Sequence, residues 1–347
     1  MAKLKHVFTR EGKTVSKKTV EALGPIESRK PTRNQTSPVP VNTTNWASAP
    51  KGRILVSPQW VNAVINGTAA ATYKNSKYII LEASWGATSN GYKAGHIPGA
   101  YHFNTDNIET EANHWNIGPT DHVEDSLKAT GITFDTMVIV YANGPQDISG
   151  ASRVLFALIW AGVRDVRLLD GGLSTWKAAG YATETKKDKP TPVVEFGVAI
   201  PQHPEYIITA PQDVLKARQD PRFRLISIRS WDEFTGKTSG YDYIKGAGEP
   251  DGAVWGRTVN RGGGDDGYLN ADGTFKSFDL IEPMWAEGGI TKDTVNSFYC
   301  GTGWRATVPW LMAYVQGWKN ITLYDGGWYM WEMDKSLPVQ IGDPNTK

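Results

Sequence analysis

The chain reads as an α/β protein in which one unit is written twice, each copy a mainly parallel sheet flanked by helices. Three observations predict this. Short apolar runs of strand length alternate with stretches of helical length, the pattern of parallel strands joined by crossover helices. Two segments end alike: Asp170-Gly171-Gly172 is followed by Trp176 and Asp325-Gly326-Gly327 by Trp331, each tryptophan six residues after its aspartate. Gly162 and Gly317 stand eight residues before those same aspartates. A solenoid would need more and shorter repeats, so the copies are two domains. A length of 347 residues also exceeds what one hydrophobic core usually serves.

Residues 1–51 are polar and rich in Lys, Thr, Ser and Pro, and are read as an extended arm. The first domain is placed at 52–185. Ser57-Pro58 opens a helix, with the serine as N-cap and proline at the first helical position. Strands are expected at 78–82, 137–141 and 166–169, and a helix from about 149 to 160. Gly95-His96-Ile97-Pro98-Gly99-Ala100 is a turn. Residues 186–205, beginning with Lys186-Lys187-Asp188-Lys189-Pro190, form a linker. The second domain is placed at 206–340, with 341–347 as a tail. There Ala210-Pro211 starts a helix, and strands are expected at 224–228, 296–299 and 321–324, with a helix over 306–315.

A net charge of +1 and 21% charged residues give no electrostatic footprint for nucleic acid or another polyanion. No apolar run nears the ~20 residues that cross a bilayer. No signal peptide is expected in the chain as written, since no apolar core follows the first lysines. The single cysteine among 347 residues excludes an intrachain disulfide and any cysteine-rich zinc site. No histidine set has metal-ligand spacing, and neither metal nor cofactor is expected.

That cysteine, Cys300, ends an expected buried strand and begins Cys300-Gly301-Thr302-Gly303-Trp304-Arg305-Ala306, which leads into a helix. A short Gly-containing loop before a helix places a sulfur over backbone N–H groups and the positive end of the helix dipole. Aligning the copies by Tyr141 and Tyr299 sets Ala142 opposite Cys300. Ala142 to Asp170 is 28 positions and Cys300 to Asp325 is 25, so the thiol-free copy has the longer loop.

The Cys300 loop, the two Asp-Gly-Gly-x-x-x-Trp endings, the His96-Ile97-Pro98-Gly99-Ala100 turn and Arg229-x-x-x-Glu233-Phe234 together resemble the rhodanese family. The resemblance covers about residues 52–335 and is closest in pattern to tandem-domain thiosulfate or 3-mercaptopyruvate sulfurtransferases. It implies two tandem rhodanese-like domains, the first inactive and the second catalytic. It also implies a mechanism: the Cys300 thiolate takes the outer sulfur of a small donor, holds it as a persulfide, and passes it to a thiol or cyanide, with a thioredoxin-like protein among the acceptors. A free thiol ionises near pH 8.5, so such a nucleophile needs preferential stabilisation of its anion, and the N–H groups of 301–306 are suited to supply it.

Arg305 is expected to orient an anionic donor or to hold the loop, and Trp304 to line the cleft or pack beneath it. Arg229 resembles the family's strand-end arginine, which braces the active loop; Ser227 stands where an aspartate is common. Lys237, Arg257 and Arg261 flank Gly-rich segments and are candidates for contacts to a donor anion. The Cys-Gly-Thr-Gly start of the loop resembles mercaptopyruvate enzymes, whereas Glu233 does not and the Trp304-Arg305 ending departs from both loop types, so 3-mercaptopyruvate, thiosulfate and a donor that is neither stay open. A non-enzymatic persulfide carrier fits the same motif. Cysteine phosphatases and arsenate reductases place five residues between Cys and Arg against four here, Gly301 to Trp304, and are the more distant alternative. The likeness of the loop to exported bacterial sulfurtransferases points to the periplasm, with the cytoplasm as alternative.

Overall fold

The computed structural model describes residues 46–68, 77–259 and 267–344. The first half forms a five-stranded sheet from β1 (Leu55–Val56), β2 (Tyr78–Ser84), β3 (Ala100–Asn104), β4 (Met137–Tyr141) and β5 (Asp165–Leu169), in the order β1-β5-β4-β2-β3. The second half repeats it with β6 (Ile207–Ile208), β7 (Phe223–Ser227), β9 (Val254–Trp255), β10 (Val295–Tyr299) and β11 (Ile321–Tyr324), in the order β6-β11-β10-β7-β9. Every pairing in both sheets is parallel. A separate antiparallel pair joins β8 (Glu249–Pro250) to β12 (Val339–Gln340). The duplicated α/β architecture read from the repeat is therefore the one observed.

The helices that matter here are α1 (Pro58–Ile65), α2 (Ile148–Ala161), α3 (Trp231–Phe234), α4 (Phe278–Glu287), α5 (Thr307–Val315) and α6 (Gly327–Met333). Ser57 caps α1 by accepting the Trp60 N–H, with Pro58 in the first turn, as the sequence signals. Helix α2 is buried along its whole length, and α5 nearly so. That explains their all-round apolar sequences: both lie between the two sheets, where Phe156 and Trp310 meet edge to face at 4.5 Å. One core cluster thus spans both halves, and each sheet carries a further apolar cluster on its other face.

Most of the expected arm, residues 1–45, lies outside the described residues. Its last part, 46–51, belongs to the folded body and not to a free arm. Trp46 is 1% exposed, packs edge-on against Phe275 and Phe278, and donates its indole N–H to the Lys276 carbonyl. Lys51 lies over the Tyr314 ring and donates its backbone N–H to Val315 at the end of α5. The linker crosses the first domain with its backbone paired: Val193 donates to Lys128, Phe134 to Phe196, and Gln202 to Trp160.

Candidate active site

Strand β10 is the central strand of its sheet, and Cys300 follows its last residue. Tyr299 pairs with Ser227 of β7, and on that side the strand order reverses. The thiol therefore sits at the carboxyl end of the central strand, at the topological switch point where parallel α/β sheets open a crevice. The side chain is 2% exposed.

Two backbone contacts set the loop's shape. The N–H groups of Trp328 and Tyr329, at the start of α6, bind the carbonyls of Cys300 and Gly301 at 2.8 and 3.0 Å. In the thiol-free copy Leu173 donates to the Ala142 carbonyl at 2.8 Å, so Ala142 occupies the place of Cys300. With those carbonyls held by α6, the following peptide units are left to present their N–H sides. Among the described residues, the N–H groups of Thr302, Gly303, Trp304, Arg305 and Ala306 bind no protein acceptor. Gly301 differs from the expectation: its N–H donates to the Tyr241 hydroxyl at 2.8 Å and is not available to the sulfur. A Cβ on Gly301 would lie 2.3 Å from the Tyr241 ring, so the close approach demands glycine.

Arg305 ties the loop to the rest of its domain. Its two terminal nitrogens bind the two oxygens of Glu233 at 2.7 and 2.8 Å, and it also donates to the Tyr241 hydroxyl. Both partners are buried. Burial alone would raise the Glu233 pKa, but the Arg305 guanidinium outweighs it and holds the carboxyl down at about 2. The same carboxylate keeps Arg305 charged against its own burial. Glu233 thus gives Arg305 a buried counter-charge within its own domain. Glu233 also closes a capping box with Ser230, which fixes α3 and aims the carboxylate.

Arg229 is fully buried and braces the wall of the site, donating to Glu249 at 2.7 Å and to the carbonyls of Gly248 and Ser239 at 2.6 and 2.8 Å. Burial works against its charge, but Glu249 and Glu233 outweigh that and raise its pKa. Ser227 is part of the same arrangement: its hydroxyl donates to Glu249 at 3.1 Å, and Tyr299 donates to the other Glu249 oxygen. The carboxylate that braces Arg229 thus comes from β8, not from the end of β7.

Lys237 pairs with Asp232, and both side chains are largely exposed. Arg257 pairs with the exposed Glu287 and lies over the Trp255 ring at 4.5 Å. Each thus has a carboxylate partner at the surface. Arg261 lies outside the described residues. Trp304 points away from β10 into the first domain, where its indole N–H donates to Glu109 at 2.8 Å. Thr302 meets the Tyr243 hydroxyl at 3.4 Å. From there a row of rings continues, Tyr243 to Tyr329 at 5.7 Å and Tyr329 to His114 at 6.1 Å.

Sequence reasoning missed Tyr241, Tyr243, Glu109 and Arg153 as parts of this site. Arg153 carried a signal, as the sole charge within an otherwise apolar helix. The tyrosines carried none, because only the closed loop 239–249 brings them to the thiol. No group of three or more possible metal ligands occurs among the described residues. No helix there is long and apolar enough to cross a membrane.

The family model for the rhodanese-like domain matches residues 67–179 and 210–334. Thiosulfate sulfurtransferase YnjE of Escherichia coli is 42% identical over 83% of the chain, which spans 65% of that protein's length. The human 3-mercaptopyruvate sulfurtransferase is 28% identical over 81% of the chain and 92% of its own length. A solved structure of the anaerobic ergothioneine biosynthesis enzyme from Chlorobium limicola, in complex with trimethyl histidine, superposes with a TM-score of 0.79 at 33% identity. It covers 85% of this chain and 72% of that one.

Proposed function

The chain belongs to the rhodanese-like family, and from that premise we propose that it is a sulfurtransferase working through a persulfide on Cys300. The observation that carries the reading is the loop itself: a lone thiol followed by five consecutive N–H groups that no acceptor among the described residues takes. Oriented N–H groups in a partly dry site stabilise a sulfur anion both before and after transfer. The Cys300 thiolate attacks the outer sulfur of thiosulfate, the S–S bond breaks, and sulfite leaves with the electron pair. With 3-mercaptopyruvate the C–S bond breaks instead, and the carbon takes a proton to give pyruvate. An acceptor thiolate then attacks the terminal sulfur, and the Cys300 thiolate is restored. The test is turnover of each donor with a dithiol acceptor, together with intact-mass analysis. A sulfur of about 32 Da on Cys300, absent in Cys300→Ser, supports the reading. Full activity in Cys300→Ser ends it. A stable adduct without turnover of either donor favours a sulfur carrier.

The ring row Tyr243, Tyr329 and His114 supports a second reading of the acceptor. Aromatic faces hold planar and trimethylammonium groups, and trimethyl histidine, bound by the Chlorobium limicola enzyme, combines both. Under this reading trimethyl histidine protects the persulfide protein thermally and consumes its sulfur, and Tyr329→Ala abolishes both effects. A periplasmic site of action rests on the likeness of the loop to exported enzymes; cell fractionation with a cytoplasmic marker tests it.

A further inference from the structure

The thiol-free domain holds the reactive loop from behind. Arg153 of α2 is 0% exposed and lies between two carboxylates: its Nε donates to Glu109 at 3.0 Å, and Nη1 donates to Asp325. Its Nη2 donates to the Trp115 carbonyl at 2.9 Å. Glu109 accepts the Trp304 indole N–H on its other oxygen at 2.8 Å. Asp325, in the second domain, accepts the Ile117 N–H from the first at 2.7 Å. The chain of contacts runs from the loop into the first domain and back.

The loop residue next to Trp304 rests on the same group. Gly303 has φ +80°, and a Cβ there would lie 2.5 Å from Arg153 Nη1 and 2.4 Å from Asp325 Oδ1. The Trp304 ring lies over Gly150 of α2, where an added Cβ would meet it at 3.5 Å. A second observation is independent of the charges. His114 and Trp115 are consecutive non-glycine residues in the left-handed region, at φ 52° and 62°. Such backbone is costly for residues with side chains and persists only where the surroundings impose it. Here it turns the Trp115 carbonyl to Arg153 and the Ile117 N–H to Asp325.

We propose that Glu109 and Arg153 are positioning residues for sulfur transfer, through which the first domain sets the curvature of the Cys300 loop. The proposal rests on the persulfide reading above. Its physical basis is that a reacting sulfur must meet its N–H donors in fixed geometry, and a displacement of about 1 Å costs up to 100-fold in rate. Within the second domain Thr307 holds the Trp304 carbonyl and Asp325 borders Gly303, but the Trp304 indole N–H is bound from the first domain, by Glu109. Val308, which occupies the place of Arg153 in the second copy once the three extra loop residues are allowed for, carries no charge.

The test uses the full chain and five variants: Glu109→Gln, Arg153→Met, Arg153→Lys, Trp304→Phe, and Asp170→Ala, which removes the acceptor that the thiol-free copy offers to Phe275. Persulfide formation, donor kcat and KM, and the rate of Cys300 alkylation by iodoacetamide are measured, each beside a thermal melt. Trp304→Phe keeps an aromatic ring but loses the indole N–H that binds Glu109. We expect it and Glu109→Gln to lower kcat and the alkylation rate about 10- to 100-fold, with KM within about threefold. Arg153→Lys recovers part of the rate that Arg153→Met loses, and Asp170→Ala leaves kcat within about twofold. Unchanged kcat in folded Trp304→Phe and Glu109→Gln overturns the proposal, as does an equal loss in Asp170→Ala. If the parent protein forms no persulfide, it is the functional reading that fails, and the alkylation rates still judge the positioning role.

Discussion

Asp170 and Asp325 reach across the same interface in opposite directions. Asp170 Oδ1 accepts the Phe275 N–H of the second domain at 2.9 Å, and Asp325 Oδ2 accepts the Ile117 N–H of the first at 2.7 Å. Both are the aspartates of the repeated Asp-Gly-Gly endings. Their surroundings differ in one respect that matters: Asp325 has Arg153 against it, whereas Asp170 has the Asp272 carboxylate nearby and burial raises its pKa to about 7.

That difference predicts a stability change with pH. Asp170 binds its proton more tightly folded than unfolded, so its stabilisation is complete below the unfolded carboxylate range near pH 4 and is lost as pH rises through about 7. Asp170→Asn keeps an acceptor for Phe275 and removes the titration. Denaturant unfolding at pH 5 and pH 8 is expected to show the parent losing on the order of 1–3 kcal/mol relative to the variant over that interval. Parallel curves for the two proteins would contradict it.

The Glu233–Arg305 pair gives the opposite sign. Its carboxyl is held at about 2, so its contribution is present above the unfolded glutamate range and is lost only as pH falls through about 2. Glu233→Gln leaves the buried Arg305 without its counter-charge and is expected to cost about 3–5 kcal/mol. Urea titration at pH 7 measures this directly.

Tyr241→Phe removes the acceptor for both the Gly301 N–H and Arg305. Leaving such buried donors unpaired costs about 1–3 kcal/mol, and kcat is expected to fall at least tenfold because the loop loses its fixed peptide. A variant with parental kcat would show that the hydroxyl is only a packing contact.

Trp46→Ala tests the end of the N-terminal segment. Truncating a buried tryptophan costs about 3–5 kcal/mol, and Trp46 packs on Phe275 and Phe278 of the second domain. A drop in the cooperative melt of that size is expected. An unchanged melting temperature would return residues 46–51 to a loose arm.

The repeat made the fold legible. Strand 137–141 and strand 321–324 fall where the apolar runs place them, and the others differ by a residue or two at their ends. Cys300 and its loop were legible for the same reason, because the sister copy shows what the scaffold looks like with Ala142. The partners of the loop were not. Arg305 and Glu233 are 72 residues apart in sequence, and Trp304 and Glu109 are 195 apart. The first contact depends on how one domain closes and the second on how two domains dock, and no local periodicity encodes either. Charge beside glycines marks Lys237 and Arg257 as loop cations, but the pairing of Arg257 with Glu287, 30 residues on, comes from tertiary placement.

The interdomain contact beneath Gly303 also has a consequence in time. Glu109 and Arg153 precede Cys300 in the chain, and domains of a nascent protein fold in the order they are made. The supports are therefore on hand before the ribosome delivers the thiol. A reactive sulfur synthesised last into a waiting mould spends little time exposed, and reversing the gene order of the two halves would reverse that protection.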